Sequence, residues 1–318
     1  MIFYGLPRRT LLALLAAAML LLAGFAAPQP AHAGMASKLT VGIAEQQPDF
    51  FSQPLFQRTE IHHARLLVSW NAMYTKWQRE QADTWLDAAR AAGVTPLVSF
   101  GHSRTRRSEL PSTARYLKAF RAFRKRYPWV RTFATWNEAN HCGEPTCKRP
   151  ALVASYWRAI KKDCPTCRIL AAELLDSPNV ATWARAFRRA TRVEPRYWGL
   201  HNYIDANRFT TSYTKAVLGA TRGELWLTET GGIVARRNGS RVRLPGSTAH
   251  AAKATRFVFE KLVRVDPRIK RVYLYHWENE SRRATWDSAL VATNGQARPA
   301  YDVLRDRLRR LRISGHLG

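Results

Sequence analysis

The chain has 318 residues, with 51 Lys and Arg against 23 Asp and Glu, a formal net charge of +28 and a pI near 10.9. That balance favours polyanionic partners, from nucleic acid to acidic polysaccharide. The sequence carries no zinc-finger spacing, no aromatic RNA-binding motif and no GxGxxG after its first strand. Nucleic acid is therefore not expected as a partner, and neither a cofactor nor a metal is expected.

The chain opens with Arg8 and Arg9, an apolar run over 11–26, and the A-x-A pattern Ala31-His32-Ala33. The run is short for a membrane span, which needs about 20 residues. Residues 1–33 read as a signal peptide, with the export route left open between the general and twin-arginine pathways. Residues 34–318 then form one exported domain, secreted or held at the cell wall, without stable membrane insertion and acting as a monomer.

Eight strands follow in order: LTVGIAE (39–45), ARLLVSW (64–70), TPLVSFG (95–101), VRTFATW (130–136), RILAAELL (168–175), YWGLHNYI (197–204), ELWLTET (224–230) and RVYLYHW (271–277). Most are continuous apolar runs, the pattern of strands buried on both faces. Helical periods lie between them. Tyr116, Phe120, Phe123 and Tyr127 share one face, with Arg115, Lys118, Arg121 and Lys125 opposite. Ala251, Ala254, Val258, Leu262 and Val265 repeat similarly, and a last helix enters through Pro299. Arg-rich outer faces of this kind supply much of the charge without any ligand. The alternation predicts an α/β fold, a (β/α)8 TIM barrel in a single domain.

The four cysteines are Cys142, Cys147, Cys164 and Cys167. A helix over 151–162 holds the two pairs about 18 Å apart, whereas disulfide Cα atoms lie about 4.4–6.8 Å apart. Cys142 is therefore expected to pair with Cys147, and Cys164 with Cys167, as an exported chain permits.

Barrel chemistry sits at the C-terminal ends of strands. Glu138 lies just past the fourth strand, in TWNEAN, and Glu229 lies at the end of the seventh, in LTETGG. Each alone could be a helix-start carboxylate. Together at one mouth they fit glycoside hydrolysis, where one carboxyl protonates the leaving oxygen and the other attacks the anomeric carbon or activates water.

VRTFATWNEAN and LWLTETGG resemble the clan A glycoside hydrolases, and the resemblance extends to Arg65, to His201 and Tyr203 in GLHNY, to Trp277 in YLYHW and to WDSALVATNGQARPAY at 286–301. It implies a retaining double displacement on a β-glycoside. Glu138 would be acid and then base, and Glu229 the nucleophile. Asn137 would bind the sugar 2-hydroxyl and Arg65 would keep Glu229 ionised. His201 or Tyr203 would orient the glutamates, and Trp277 would offer a flat face to a sugar ring. His102, in SFGHS, is a further candidate for sugar hydroxyls, while Trp70 and Glu45 are held only as subsite residues. A carbohydrate-binding barrel without turnover and a polyanion-binding surface protein are the competing classes.

The segment IVARRNGSRVRL (233–244) carries Asn238-Gly239, a two-residue hairpin signal with arms at 233–237 and 240–244. Its Arg236, Arg237, Arg241 and Arg243, with Arg104, Arg106 and Arg107 after strand three, form either a solvated arm or an outer subsite for acidic glycan. Glu144, Glu278, Glu280 and Asp287, also in mouth loops, oppose the second reading.

Overall fold

The computed structural model describes residues 38–237, 242–279, 281 and 283–318. The expected signal peptide, the Asn238-Gly239 turn, Ser240, Arg241 and Glu280 lie outside the described residues. Eight parallel strands close into a barrel: β1 (Thr40–Ala44), β2 (His63–Ser69), β3 (Thr95–Gly101), β4 (Thr132–Ala134), β5 (Arg168–Leu175), β6 (Tyr197–His201), β7 (Glu224–Thr230) and β9 (Ile269–Tyr275), with β9 returning to pair with β1. Between β7 and β9 comes a two-residue strand, β8 (Ala235–Arg236), which pairs antiparallel with β10 (Trp286–Asp287).

The expected barrel is therefore present, and each expected strand lies where its apolar run placed it. Two are shorter than expected by at least three residues. β4 spans three residues, because Thr135 turns its hydroxyl onto Leu170 O and Trp136 turns its indole onto Glu144. β6 ends at His201, and Tyr203 opens helix Tyr203–Arg208, whose Asp205 N–H donates to Asp176 Oδ2.

Ala44, Leu97, Ala134, Leu170, Trp226 and Tyr273 fill the barrel interior. A larger apolar layer lies between the strands and the surrounding helices. Helix Thr113–Arg126 shows how the sequence builds that layer. Ser112 Oγ accepts from Arg115 N as its cap, Tyr116, Phe120 and Phe123 are buried, and Arg115, Lys118, Arg121 and Lys125 are exposed. Some of that charge is paired between helices, with Arg121 and Arg124 both reaching Asp163. Among the described residues no helix is long and apolar enough to cross a membrane. Cys142 pairs with Cys147 and Cys164 with Cys167, at Cα separations of 4.8 and 5.3 Å.

Candidate active site

Three glutamates, one arginine and one histidine meet at the C-terminal mouth. Arg65, on β2, is fully buried. Its Nε and Nη2 bond Glu173 at 2.7 and 2.6 Å, its Nη1 bonds Glu229 Oε1 at 2.6 Å, and its Nη2 also reaches Asn137 Oδ1 at 2.8 Å. A guanidinium suits this position because its fixed fork can serve two carboxylates and an amide at once. Burial opposes its charge, but Glu173 and Glu229 outweigh that effect and push its pKa up.

Glu138 follows β4 at φ 44°, a left-handed conformation unusual for a side chain larger than glycine. The neighbouring amides fix it there: Asn137 N–H donates to Phe100 O on one side, and Ala139 N–H donates to Glu173 O on the other. Such strain costs of order 1–3 kcal/mol and persists where the surroundings over-determine it.

His201, at the end of β6, has no exposed surface. Its Nδ1 lies 3.2 Å from Glu138 Oε1 and 3.7 Å from Glu229 Oε2, and its Nε2 lies 3.8 Å from Glu173 Oε2. The ligating atoms of Glu138, His201 and Glu229 all fall within 4.8 Å of one another. Tyr203 donates its hydroxyl to Glu229 Oε2 at 3.1 Å. Burial, reinforced by the Glu229 charge, raises the Tyr203 pKa well above its ordinary value, so it remains a donor.

The protonation pattern follows from these contacts. Burial works to raise Glu138, but the bond and charge of His201, with His141 and Arg65, hold its carboxyl below the usual value. Burial works to lower His201, but the Glu229 charge and the bond to Glu138 raise it. Glu173 is likewise held low, because Arg65 outweighs its burial. Both shifts favour the proton of this pair on His201 rather than on Glu138.

The structure thus brings together Glu138, Glu229, Arg65, Asn137, His201 and Tyr203. His102 lies on the same mouth and lines a cavity shared with Asn137. Its Nδ1 is 2.7 Å from Glu144 Oε1, and Glu144 also accepts from the Trp136 indole. Trp277 requires a correction. It is fully buried, packed edge-on against Phe56 and Tyr301, with its indole donating to Gln53, so it has no face to offer a sugar. Trp286, in β10, is a partly exposed aromatic here; it meets the Tyr203 ring at 4.7 Å, with the Arg236 guanidinium over its own ring. Trp70 is buried. Glu45 is a structural tie: its carboxylate accepts the backbone N–H groups of Gln46, Gln47, Trp277 and Glu278, while burial pushes its pKa up to about 7.

The first arm of the arginine segment has a partner that a local turn signal does not report. Residues 235–236 pair antiparallel with β10. Val234 N–H donates to Asp287 O and Arg237 N–H to Thr285 O, so a distant segment supplies the ladder. Arg236 and Arg237 donate to the carbonyls of Val242 and Ala284.

Glu173 is the residue that the sequence reading missed. Leu170 faces the barrel interior, and strict alternation would turn position 173 outward. The β5–β6 register shifts between Leu170 and Glu173, which returns the carboxylate to the inside. Gly199 opposite makes the room, since a Cβ there would lie 2.6 Å from Glu173 Cγ. A lone Glu in an otherwise apolar strand was the available signal. Similar register shifts lie at His201 and beside Glu229.

The barrel, with its ionised groups at the C-terminal mouth, defines the architectural class. Solved structures of the same fold include a family 39 glycoside hydrolase from Bacteroides cellulosilyticus WH2 (TM-score 0.57, 14% identity, covering 87% of this chain and 64% of that one). A glucosidase from Croceicoccus marinus (0.62, 13%, 87% and 68%) and an endo-1,4-beta-xylanase from Caldicellulosiruptor owensensis (0.58, 13%, 85% and 97%) are also similar. The chain spans less than two thirds of the family 39 enzyme's length. No protein-family model and no curated protein sequence matches the chain.

Proposed function

We propose that the protein is a glycoside hydrolase that cleaves β-glycosidic bonds with retention of configuration, with Glu229 as nucleophile and Glu138 as acid and base. The observation that carries this reading is the pair itself: two carboxylates from different strand ends, with one oxygen of each within 4.8 Å of the other and His201 Nδ1 3.2 Å from Glu138 and 3.7 Å from Glu229. Retaining enzymes hold their carboxyl groups about 5–5.5 Å apart, whereas inverting ones leave about 6.5–9.5 Å for a water. The solved structures named above support the same chemistry.

Arg65 and Tyr203 orient Glu229 through one hydrogen bond to each of its carboxylate oxygens. In the first step Glu229 attacks the anomeric carbon while one proton passes from His201 Nδ1, 3.2 Å away, through Glu138 to the leaving oxygen, which leaves Glu138 ionised for the second step. Forming the glycosyl ester neutralises Glu229, one of the charges that sustain His201 as a cation. In the second step Glu138 accepts a proton from the attacking water. Asn137, oriented through its Oδ1 by Arg65, reads the sugar 2-hydroxyl. Export, with residues 1–33 as signal peptide and 34–318 as the mature domain, is supported by the two disulfides.

Nuclear magnetic resonance of the first-formed sugar from an aryl β-glycoside tests the reading. The β-anomer is expected first. Azide should rescue Glu229→Ala through a glycosyl azide of inverted configuration. An α-anomer as first product, or full activity in Glu229→Gln, would overturn the assignment.

A further inference from the structure

The positive charge of the chain is unevenly placed. In a parallel barrel the helix C-termini and the strand starts lie at the face opposite the mouth. Three helix-to-strand segments, 123–131, 160–168 and 188–196, lead into β4, β5 and β6 and so sit side by side at that base. They hold eleven Lys or Arg against two Asp or Glu. The loops that leave the same three strands at the mouth, 135–149, 176–179 and 202–211, hold three against four. This side of the barrel is therefore cationic at its base and close to neutral at its mouth, roughly 25 Å away along the eight residues of β5.

Both carboxylates of the base are already engaged. Asp163 takes Arg121 and Arg124, and Glu194 takes Arg188. Arg126 reaches across to Asp83. Lys125, Arg131, Lys162, Arg168, Arg189 and Arg192 are exposed, and none has a carboxylate partner among the described residues. Arg196, also exposed, lies over the Tyr197 ring. A helix macrodipole accounts for cations in a last turn, such as Lys125, Lys162 and Arg189. It does not account for Arg131, Arg168 and Arg196, which lie beyond the helices. Arg131 and Arg168 are also backbone neighbours, Arg168 N–H donating to Arg131 O at 2.9 Å. Like charges this close on adjacent strands are destabilising, and a bound anion would offset the cost.

We propose that this base is a docking surface for a carboxylate-bearing polysaccharide, which holds the protein on an acidic matrix with its mouth facing away. Three features select that partner. Five of the seven cations left without a carboxylate are arginines, whose fork meets a carboxylate in two parallel bonds. Their spread over three segments suits a chain that repeats its anions better than one small ion. Only Val193 in these segments is a large apolar side chain left exposed, whereas an element that settles into a bilayer interface presents an apolar face. Docking needs no turnover, so it stands apart from the hydrolase reading.

The test measures binding to immobilised polygalacturonate by biolayer interferometry. Wild type is compared with a base variant, Arg131→Gln, Lys162→Gln, Arg168→Gln and Arg189→Gln together. A control removes equal charge from exposed positions on other helix faces, through Lys118→Gln, Lys215→Gln, Lys253→Gln and Arg256→Gln. At about 50 mM salt the base variant should bind at least tenfold more weakly than wild type and the control at most twofold, and at about 300 mM the difference should collapse as the charges are screened. Any aryl glycoside that wild type cleaves should be cleaved equally by the base variant; no turnover in either, with the binding difference intact, sinks only the hydrolase reading. In wild type, polygalacturonate should protect Lys125 and Lys162 from acetylation while Lys215 and Lys253 still react, which tests the surface without any variant. Equal weakening in the two variants, equal protection of all four lysines, or tighter binding to phosphatidylglycerol vesicles than to polygalacturonate would overturn the proposal.

Discussion

Replacing Glu173 by Gln removes the charge that neutralises Arg65 inside the barrel. Both side chains have no exposed surface, and two bonds of 2.7 and 2.6 Å join them, with Ser99 donating a third to Glu173 at 2.9 Å. Removing one partner of a buried ion pair costs about 3–5 kcal/mol. Glu229 remains beside Arg65 at 2.6 Å, so the lower end applies, about 3 kcal/mol. At about 2–4 °C per kcal/mol for a domain near this size, the melting temperature should fall by roughly 6–12 °C. Thermal and urea unfolding of wild type, Glu173→Gln, Arg65→Met and the double variant Arg65→Met/Glu173→Leu gives a closed cycle. Because the double variant buries no lone charge from this pair, it should recover much of the lost stability. It should not recover turnover, since Glu229 then lacks its cation. A Glu173→Gln loss below 1 kcal/mol, or a double variant as unstable as the summed singles, would refute the reasoning.

Three further outcomes are expected. As pH rises through the raised pKa of His201, the His201–Glu138 pair loses its proton, so the basic limb of kcat/KM should lie above 6.5 and should move down into the carboxylate range in His201→Asn; a limb that stays in place assigns the proton elsewhere. His276 is buried and His63 half-buried, and desolvation lowers both to about 4 from 6.5, so each stabilises the fold above pH 6.5 and loses that contribution, about 3 kcal/mol, as pH falls from 6.5 to 4. Urea midpoints should drop between pH 7 and 4, and less so in His63→Asn and His276→Asn; a flat profile contradicts this. Replacing Cys142 and Cys147 by Ser opens the loop carrying Glu144, which should remove about 2 kcal/mol on the chain-entropy model and lower kcat/KM as His102 loses its anchor; unchanged kinetics would detach the loop from function.

The sequence by itself determined what depends on near neighbours. Apolar runs placed the eight strands, a 3- and 4-residue period placed the aromatic and arginine faces of helix Thr113–Arg126, and short spacing paired the cysteines. Glu138 and Glu229 were legible because each ends a strand run, where a barrel exposes side chains. Tertiary structure decided what depends on register and distant pairing. Glu173 joined the site only through the β5–β6 register shift and the space at Gly199. Trp277 lies two residues past the end of β9, yet Phe50, Phe56 and Tyr301, far from it in sequence, enclose it. The arginine arm found its ladder on β10 because that strand comes back beside β7's loop, which a local turn signal cannot report. A strand period of two and a helix period of 3.6 specify which residues share a face, but closure, register and packing choose what that face meets.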